Sequence, residues 1–392
     1  MRHMRRAWLG AFVVVMTGCQ WCGNINPSLL TLHDATPDDA TPDGDGPLCA
    51  APLTLCGGAC VDLSSSPDHC DVCGRSCGGG ACVYRKCQPV VLAEDDPGPN
   101  DCVTLVGDQV VYGQGGTYNP KTYGDIWSLA KDGTGPRTKV EGVVHCVGLQ
   151  WNGSALVVMS PDDIHTMNKD GSGRRFLQNG GGHRGLTVQG DWIYWYASRN
   201  GVARMLGDGG AMQLFGPNPI PDASNNGSNA VVANDTFVYW GDDVDDIIVR
   251  APLEGGAPVV VAQTDQVRDA VLDGDGGLFF TARDTSFFRM SDTDTDADTD
   301  AGLVPPETIA TGMVNALMVL RAGQDIYVGD VAGFGSGLGA VWRYRTTTRE
   351  WTRFVESVRY PMGFAADDDF FYFTAQANTG QTQHRQLLRV RR

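Results

Sequence analysis

The sequence predicts an all-β protein whose largest part is a seven-bladed β-propeller, with a six- or eight-bladed ring as the alternative. Two observations carry this prediction. The chain contains 51 Gly and 20 Pro among 392 residues, and so many helix-breaking residues do not suit long helices. A pair of short apolar runs, in most cases separated by Gly, Asp or Asn, also recurs seven times from residue 101 onward, as strand–turn–strand repeats do.

The seven repeats are regularly spaced, and each has room for further strands. The first runs begin at Cys102, Cys146, Gly185, Ala230, Ala270, Ala316 and Gly363, at separations of 44, 39, 45, 40, 46 and 47 residues. A third apolar run follows each pair, often before a tight turn such as Lys131-Asp-Gly, and a fourth follows in six repeats, as at Pro258-Val-Val-Val-Ala. Four strands in a period of about 43 residues predict one propeller blade per repeat.

The last repeat lacks a fourth strand of its own, because it reaches Arg392 first. The segment Pro89-Val-Val-Leu-Ala precedes the first repeat and matches the fourth-strand pattern of Pro258 to Ala262. We therefore expect residues 90–94 to pair with the last blade and close the ring, since an open propeller would leave sheet edges exposed. The propeller then covers residues 89–392.

Residues 1–18 have the pattern of a secretory signal peptide. A basic start is followed by an apolar run from Ala7 to Met16 and by small residues before Cys19, and the run is too short to span a bilayer as a helix. Met16 to Cys19 resembles the bacterial lipobox, which implies cleavage before Cys19 and acylation of that residue. An ordinary secretory signal with an incidental cysteine is the alternative. Because Gln20 follows, and not the Asp linked to inner-membrane retention, we expect a lipid anchor in the outer membrane, facing the periplasm or the cell surface.

Residues 19–48 predict a disordered acidic tether. Asp-Ala-Thr-Pro repeats lie between Asp34 and Gly46, and such a segment cannot bury enough apolar surface to fold. The whole chain has 46 acidic and 30 basic residues and a net charge of −16. This charge is a poor match to phosphate backbones, so we expect no nucleic-acid partner.

Residues 49–88 predict a small module held by disulfide bonds. Eight cysteines fall in this segment, namely Cys49, Cys56, Cys60, Cys70, Cys73, Cys77, Cys82 and Cys87. Exported chains meet an oxidising environment, so we expect four disulfides, whose connectivity the sequence leaves open. A zinc site using Cys70 and Cys73 is the alternative, although we expect no metal.

Two family resemblances agree with this organisation. The string from Cys56-Gly-Gly-Ala-Cys60 through Pro67-Asp-His-Cys70 to Cys77 resembles a cysteine-rich module of myxobacterial surface lipoproteins. The resemblance implies such a source and a place at the cell surface, and the family has no general activity to carry over. Tyr194-Trp195 and Tyr239-Trp240-Gly-Asp resemble the YWTD propellers, and the array is similar to the wider TolB, NHL and YWTD group. That resemblance implies a propeller fold, and no ligand contacts carry over from it.

A candidate binding site lies at one mouth of the central channel. The residues just before the seven first strands are mostly polar: Asp101, His145, Arg184, Asn229, Asp269 and Asn315, with Met362 as the exception. Acid, imidazole, guanidinium and amide groups around a concavity suit a small ligand or cation. The alternative is that they bond neighbouring blades or water. A catalytic pair of His145 with Asp101 has no supporting nucleophile or metal-ligand motif, so we name no catalytic residue.

Two further predictions concern cysteines and calcium. Cys102 and Cys146 occupy the same place in consecutive repeats, so we expect a disulfide between adjacent first strands, with two buried free thiols as the alternative; Cys22 is then left without a role. Alternate Asp residues at 292, 294 and 296 imitate the start of an EF-hand loop but lack its Gly and closing Glu. We expect an acidic turn with at most weak calcium binding and no other cofactor.

The function predicted from these features is a non-enzymatic binding platform in the cell envelope. Its partner would be an unidentified protein, glycan or small molecule, the membrane would be reached through the lipid anchor, and the chain would be a monomer. One alternative is a propeller enzyme, a lyase or hydrolase, with its site at the channel mouth. Another is a structural spacer of the envelope, because the fold alone does not fix function.

Overall fold

The computed structural model describes residues 49–95, 99–117, 122–179, 184–197, 201–216, 230–242, 246–282, 285–291, 305–331, 338–376 and 385–392. All regular structure in these ranges is β-strand, and none of it is a helix that could cross a membrane. The signal segment, Cys19, Cys22, the tether, Asn229 and the acidic loop 292–300 lie outside these ranges.

The cysteine-rich module consists of two short hairpins and four disulfides. Its strands are β1 (Thr54–Cys56), β2 (Ala59–Val61), β3 (Cys82–Val83) and β4 (Lys86–Cys87). The disulfides pair Cys49 with Cys60, Cys56 with Cys73, Cys70 with Cys82, and Cys77 with Cys87. Because a segment this small cannot build a large apolar core, these bonds supply much of its stability.

Five blades are separate four-stranded antiparallel sheets. Blade 1 contains β6 (Pro99–Val106), β7 (Gln109–Thr117), β8 (Thr122–Ala130) and β9 (Thr138–Val144). Blade 2 contains β10 (Gly148–Trp151), β11 (Leu156–Met159), β12 (Asp163–Met167) and β13 (Arg175–Asn179). Blade 3 contains β14 (Arg184–Gln189), β15 (Trp192–Tyr196), β16 (Val202–Leu206) and β17 (Gln213–Phe215). Blade 4 contains β18 (Val231–Ala233), β19 (Phe237–Asp242), β20 (Ile247–Pro252) and β21 (Val259–Gln263). Blade 5 contains β22 (Val267–Leu272), β23 (Leu278–Ala282), β24 (Ser286–Met290) and β25 (Glu307–Thr311).

Blades 6 and 7 are joined in one seven-stranded sheet. Blade 6 contains β26 (Ala316–Ala322), β27 (Asp325–Asp330), β28 (Gly339–Arg345) and the first part of β29 (Glu350–Ala366). Blade 7 contains the second part of β29, β30 (Phe370–Gln376), β31 (Arg385–Arg391) and β5 (Val90–Asp95). The sequence predicted two strands where β29 is one, because the segment that links the two blades is itself extended.

The ring is closed by a strand from the start of the propeller. β5 pairs antiparallel with β31, with Leu387 opposite Ala93 and Leu388 opposite Val91. Each first strand lies beside the first strand of the next blade, and β29 lies beside β6 to complete the circle. The all-β class and the seven-bladed propeller predicted from the repeats are thus confirmed.

The core of the propeller lies between the blades. The largest fully buried side chains are aromatic, and most come from the second strands, including Trp195, Trp240, Tyr327 and Phe371. Aromatic residues suit this position because they favour pleated surfaces and fill the wedge between two sheets. The shape of the ring is therefore fixed mainly by apolar contacts between blades.

Arginines of the third strands add polar links from one blade to the next. Arg204 of β16 donates to the carbonyl of Leu253 in the turn after β20, at 2.9 Å. Arg389 of β31 makes the corresponding bond to the carbonyl of Lys131 after β8, at 2.7 Å. Each guanidinium also lies over an aromatic ring of its own blade, which holds it in place.

The cysteine-rich module packs on the last two blades. Its buried Cys70, Cys77, Cys82 and Cys87 belong to one apolar cluster with residues of blades 6 and 7. Arg389 also donates to the carbonyl of Gly78 at 2.8 Å, and Lys86 forms a 2.5 Å ion pair with Glu356. Residues Cys49–Arg392 consequently form one compact unit.

Candidate functional site

The predicted channel-mouth residues occupy the beginnings of the first strands. Asp101 lies in β6, Arg184 in β14 and Asp269 in β22, whereas His145 and Asn315 precede β10 and β26. For Asp101 and Arg184 the structure describes the backbone only. The Cys102–Cys146 disulfide has a Cα–Cα distance of 6.1 Å, so it brings the backbones of the adjacent residues Asp101 and His145 close together in space.

β-Bulges interrupt the first strands at this end of several blades. Register shifts occur near the start of the first strand in blades 1, 3, 5, 6 and 7. In blade 5 Asp269 follows the bulge and pairs with Thr281, whereas in blade 6 Asn315 comes before the bulge that follows Ala316. Bulges re-aim side chains, so Asp269 and Asn315 stand at different depths in the ring.

Asp269 links blade 5 to blade 6. Its Oδ2 accepts a hydrogen bond from the backbone N–H of Val319 in β26 at 2.8 Å, and its Oδ1 accepts one from the N–H of Ala270 at 2.9 Å. Burial raises the pKa of Asp269 to about 7, although both N–H groups act in the opposite direction. The carboxyl group therefore changes its protonation state near neutral pH.

Thr281 brings a second polar group to the same interface. It is fully buried, and its Oγ1 has no hydrogen-bond partner within the described ranges. Paired residues of an antiparallel ladder project to the same face, so Thr281 shares the face of Asp269. Phe279, two residues earlier on this strand, packs against blade 6, so Thr281 also faces blade 6.

Asp330 faces blade 5 from the other side, and the backbone of Asn315 lies beside it. Ile326 and Val328 pack against blade 5, and Asp330 lies on the same face by the two-residue alternation of a strand. Its Oδ1 accepts from the N–H groups of Val314 and Asn315, at 2.9 and 3.1 Å. The buried Oδ1 of Asn315 has no hydrogen-bond partner among the residues described.

We call these four residues the inner strip: Asp269, Thr281, Asn315 and Asp330. Sequence reasoning found Asp269 and Asn315 but missed the other two. A signal for Asp330 was present, because Val328-Gly-Asp330 corresponds to Trp240-Gly-Asp242 in the second strand of blade 4. Nothing in the sequence distinguishes Thr281, whose position depends on the bulge in β22.

A second polar cluster lies between blades 1 and 2, away from the first strands. The fully buried His165 of β12 contacts Glu141 Oε2 through Nε2 at 2.9 Å and Asp163 Oδ1 through Nδ1 at 3.2 Å. Arg174 contacts the same two carboxylates, at 3.3 and 2.7 Å. Burial opposes protonation of the ring, but hydrogen bonds and charges from Asp163 and Glu141 outweigh it and raise the pKa of His165.

This cluster predicts a loss of stability at alkaline pH. Because the pKa of His165 in the folded chain lies above the usual 6.5, its contribution is complete below about pH 6.5 and declines as the pH rises through the folded value. The variant His165→Gln should be less stable at pH 6 and should lose less stability between pH 6 and 9. Urea unfolding of both proteins across this range measures the difference, and parallel curves would refute the assignment.

The comparisons with known proteins agree with the fold. No protein-family model matches the chain, and no curated protein matches it. The AfRom2 CNH domain is similar over 77% of this chain and 98% of that chain, with 9% identity and a TM-score of 0.54. A streptogramin B lyase is similar over 75% and 94%, with 16% identity and a TM-score of 0.52.

A third similar structure comes from a nidogen/laminin complex. It covers 59% of this chain and 89% of that chain, with 13% identity and a TM-score of 0.43. At identities this low, the two structures with TM-scores above 0.5 support the propeller fold alone.

Proposed function

We propose that the chain is an outer-membrane lipoprotein, anchored through Cys19, whose propeller is a non-enzymatic binding platform in the envelope. The basic start, the short apolar run and the small residues before Cys19 support export and acylation. More than one acyl chain makes such an anchor stable. The acidic segment 19–48 would link the folded part to the anchor, and the platform would act as a monomer.

The inner strip is the observation that carries the binding role. Buried polar atoms in folded proteins are nearly always paired with protein atoms or ordered water, yet Thr281 Oγ1 and Asn315 Oδ1 have no protein partner within the described ranges. The neighbouring Asp269 has a pKa raised by burial to about 7. A hydroxyl, an amide oxygen and a titratable carboxyl in one interface suit a small polar ligand, such as part of a glycan.

The construction of the ring fits a platform. A disulfide joins the first strand of blade 1 to Cys146, just before the first strand of blade 2. Arginines bridge blades 3 and 4 and blades 7 and 1. A rigid site has little ordering entropy to lose when a partner binds. Such a ring can hold the inner strip in one geometry.

A pair of threonine variants tests the binding role. Thr281→Val removes an unpartnered hydroxyl, whereas Thr374→Val removes a hydroxyl that donates to the carbonyl of Met362 at 3.0 Å. Thr374 lies in the second strand of blade 7, so it is the matched control. Native mass spectrometry of protein purified from its own envelope should show a bound mass that Thr281→Val loses and Thr374→Val keeps.

The outcomes separate the three functional hypotheses. Equal loss in both variants would contradict a site at the inner strip. The absence of a bound mass in every form of the protein would favour an envelope spacer. The enzyme hypothesis is favoured by one observation, the pKa of Asp269 near 7, because an acid–base group works best near the operating pH. Under that hypothesis Asp269→Asn would abolish turnover of a bound compound, whereas a binding platform converts none.

The anchor has its own test. Wild-type protein should enter the detergent phase of a membrane extract, and Cys19→Ala should remain in the aqueous phase. Partition of both forms into the aqueous phase would contradict lipidation. That result would leave the binding role of the inner strip untouched.

A further inference from the structure

The cysteine-rich module carries an exposed apolar patch. We define the module patch as Leu53, Leu55, Val72, Val83 and Tyr84, which are 38, 47, 53, 42 and 88% exposed. An exposed apolar patch commonly marks a site of interaction.

Contacts made by neighbouring residues bring the members of the module patch together. Leu55 lies in β1, and Leu53 comes just before the start of that strand. Cys73 Sγ lies 3.6 Å from the carbonyl of Leu55, which places Val72 beside that strand. Asp71 forms an ion pair with Arg85 at 3.7 Å, and this contact connects Val72 to Tyr84 at the tip of the β3–β4 hairpin.

The hairpin tip is held in a conformation that its residues disfavour. Tyr84 and Arg85 have φ values of 50° and 65°, a pair of positive angles that two-residue hairpin turns normally assign to Asn-Gly. An aromatic residue in the left-handed region costs free energy. The surrounding structure maintains it, because the Arg85 N–H donates to the carbonyl of Ser64 and two disulfides flank the hairpin. Strain that presents a tyrosine to solvent points to a function for that tyrosine.

The charge of the module distinguishes it from the rest of the chain. Three acidic residues, Asp62, Asp68 and Asp71, are balanced by Arg75, Arg85 and Lys86. The chain as a whole has a net charge of −16, so most of its surface is repelled by anionic lipids. The neutral module, with an arginine beside its exposed tyrosine, can approach such a surface.

We propose that the module patch docks on the surface of a lipid bilayer. Tyr84 enters the interfacial region, where an amphipathic ring is most stable, Arg85 meets the phosphate headgroups, and the aliphatic members lie against the acyl boundary. The proposal builds on the envelope location given above, because the segment from Cys19 leads directly into this module. It assigns the module a second, weaker membrane contact, which orients the propeller on the membrane.

Vesicle binding by the unacylated chain that begins at Gln20 tests the docking without the anchor. The probe is a sedimentation assay with vesicles of phosphatidylethanolamine and phosphatidylglycerol. Tyr84→Ser should weaken partition about tenfold, since it removes the burial of a large amphipathic ring. Val72→Ser should weaken it by a smaller factor, and the fold of each variant is checked by its unfolding midpoint.

Phe176→Ser is the matched control, because Phe176 is a 55% exposed aromatic residue on blade 2. It should bind vesicles as the parent chain does. Absence of parent-chain binding, or equal weakening by Phe176→Ser and Tyr84→Ser, would overturn the docking proposal. Neither result bears on lipidation, which the Cys19→Ala partition experiment decides separately, so failure of one proposal is distinguishable from failure of the other.

Discussion

Replacing both Cys102 and Cys146 with serine is expected to lower the free energy of unfolding by about 4 kcal/mol. The two residues are 44 positions apart, so their bond removes a large loop from the freedom of the unfolded chain. Both are almost fully buried, and the serine hydroxyls would have to be accommodated in an apolar cluster. Denaturant unfolding followed by tryptophan fluorescence measures the loss.

A disulfide of the cysteine-rich module provides the control. Cys49 and Cys60 are 11 positions apart, and the same chain-entropy argument gives about 3 kcal/mol for their bond. That loss falls on the module, which contains no tryptophan, so replacing these two cysteines with serine should shift the fluorescence transition less than the Cys102/Cys146 substitutions do. A transition unchanged by the Cys102/Cys146 substitutions would contradict the role of the bond in the ring.

Trp195→Ala should destabilise the chain by about 3–5 kcal/mol, the range for large aromatic residues removed from a core. Trp195 is fully buried in β15. It packs with Val157, Met159 and Ile164 of blade 2 and with residues of blade 3, so its loss opens a cavity between two blades. The measurement is the free energy of unfolding in urea, monitored by circular dichroism because the substitution removes a fluorophore.

Phe176→Ala is the control for this substitution, since its ring is largely exposed on the outer strand of blade 2. We expect a change within about 0.5 kcal/mol, as for most surface positions. Similar losses for both variants would contradict an interblade core formed by the second strands.

The propeller could be predicted because the same strand pattern recurs seven times in the sequence. A single apolar pair such as Ala270-Val-Leu and Leu278-Phe-Phe is compatible with many folds, but seven such pairs at similar spacing predict a ring. The closing strand was identifiable for the same reason, because Pro89 to Ala93 copies a pattern found elsewhere in the chain. In the repeats, the turn residues and the spacing of the apolar runs predict the same structure.

The site was less predictable because it depends on register. The sequence aligned Asp269 with Asn315 by their place before an Ala, but the bulges in β22 and β26 put them at different depths. A bulge has no fixed residue pattern in these strands, and one inserted residue redirects the side chains near it. For the same reason the sequence did not predict Thr281 as a member of the inner strip. It did not predict the buried cluster around His165 either, because that cluster depends on a contact with a strand of another blade.

The most direct test of the platform is an experimental structure of the protein isolated from its own envelope. We predict density for a bound molecule in contact with Thr281 Oγ1, near the carboxyl group of Asp269. Density for water alone at the inner strip would contradict the proposed binding site.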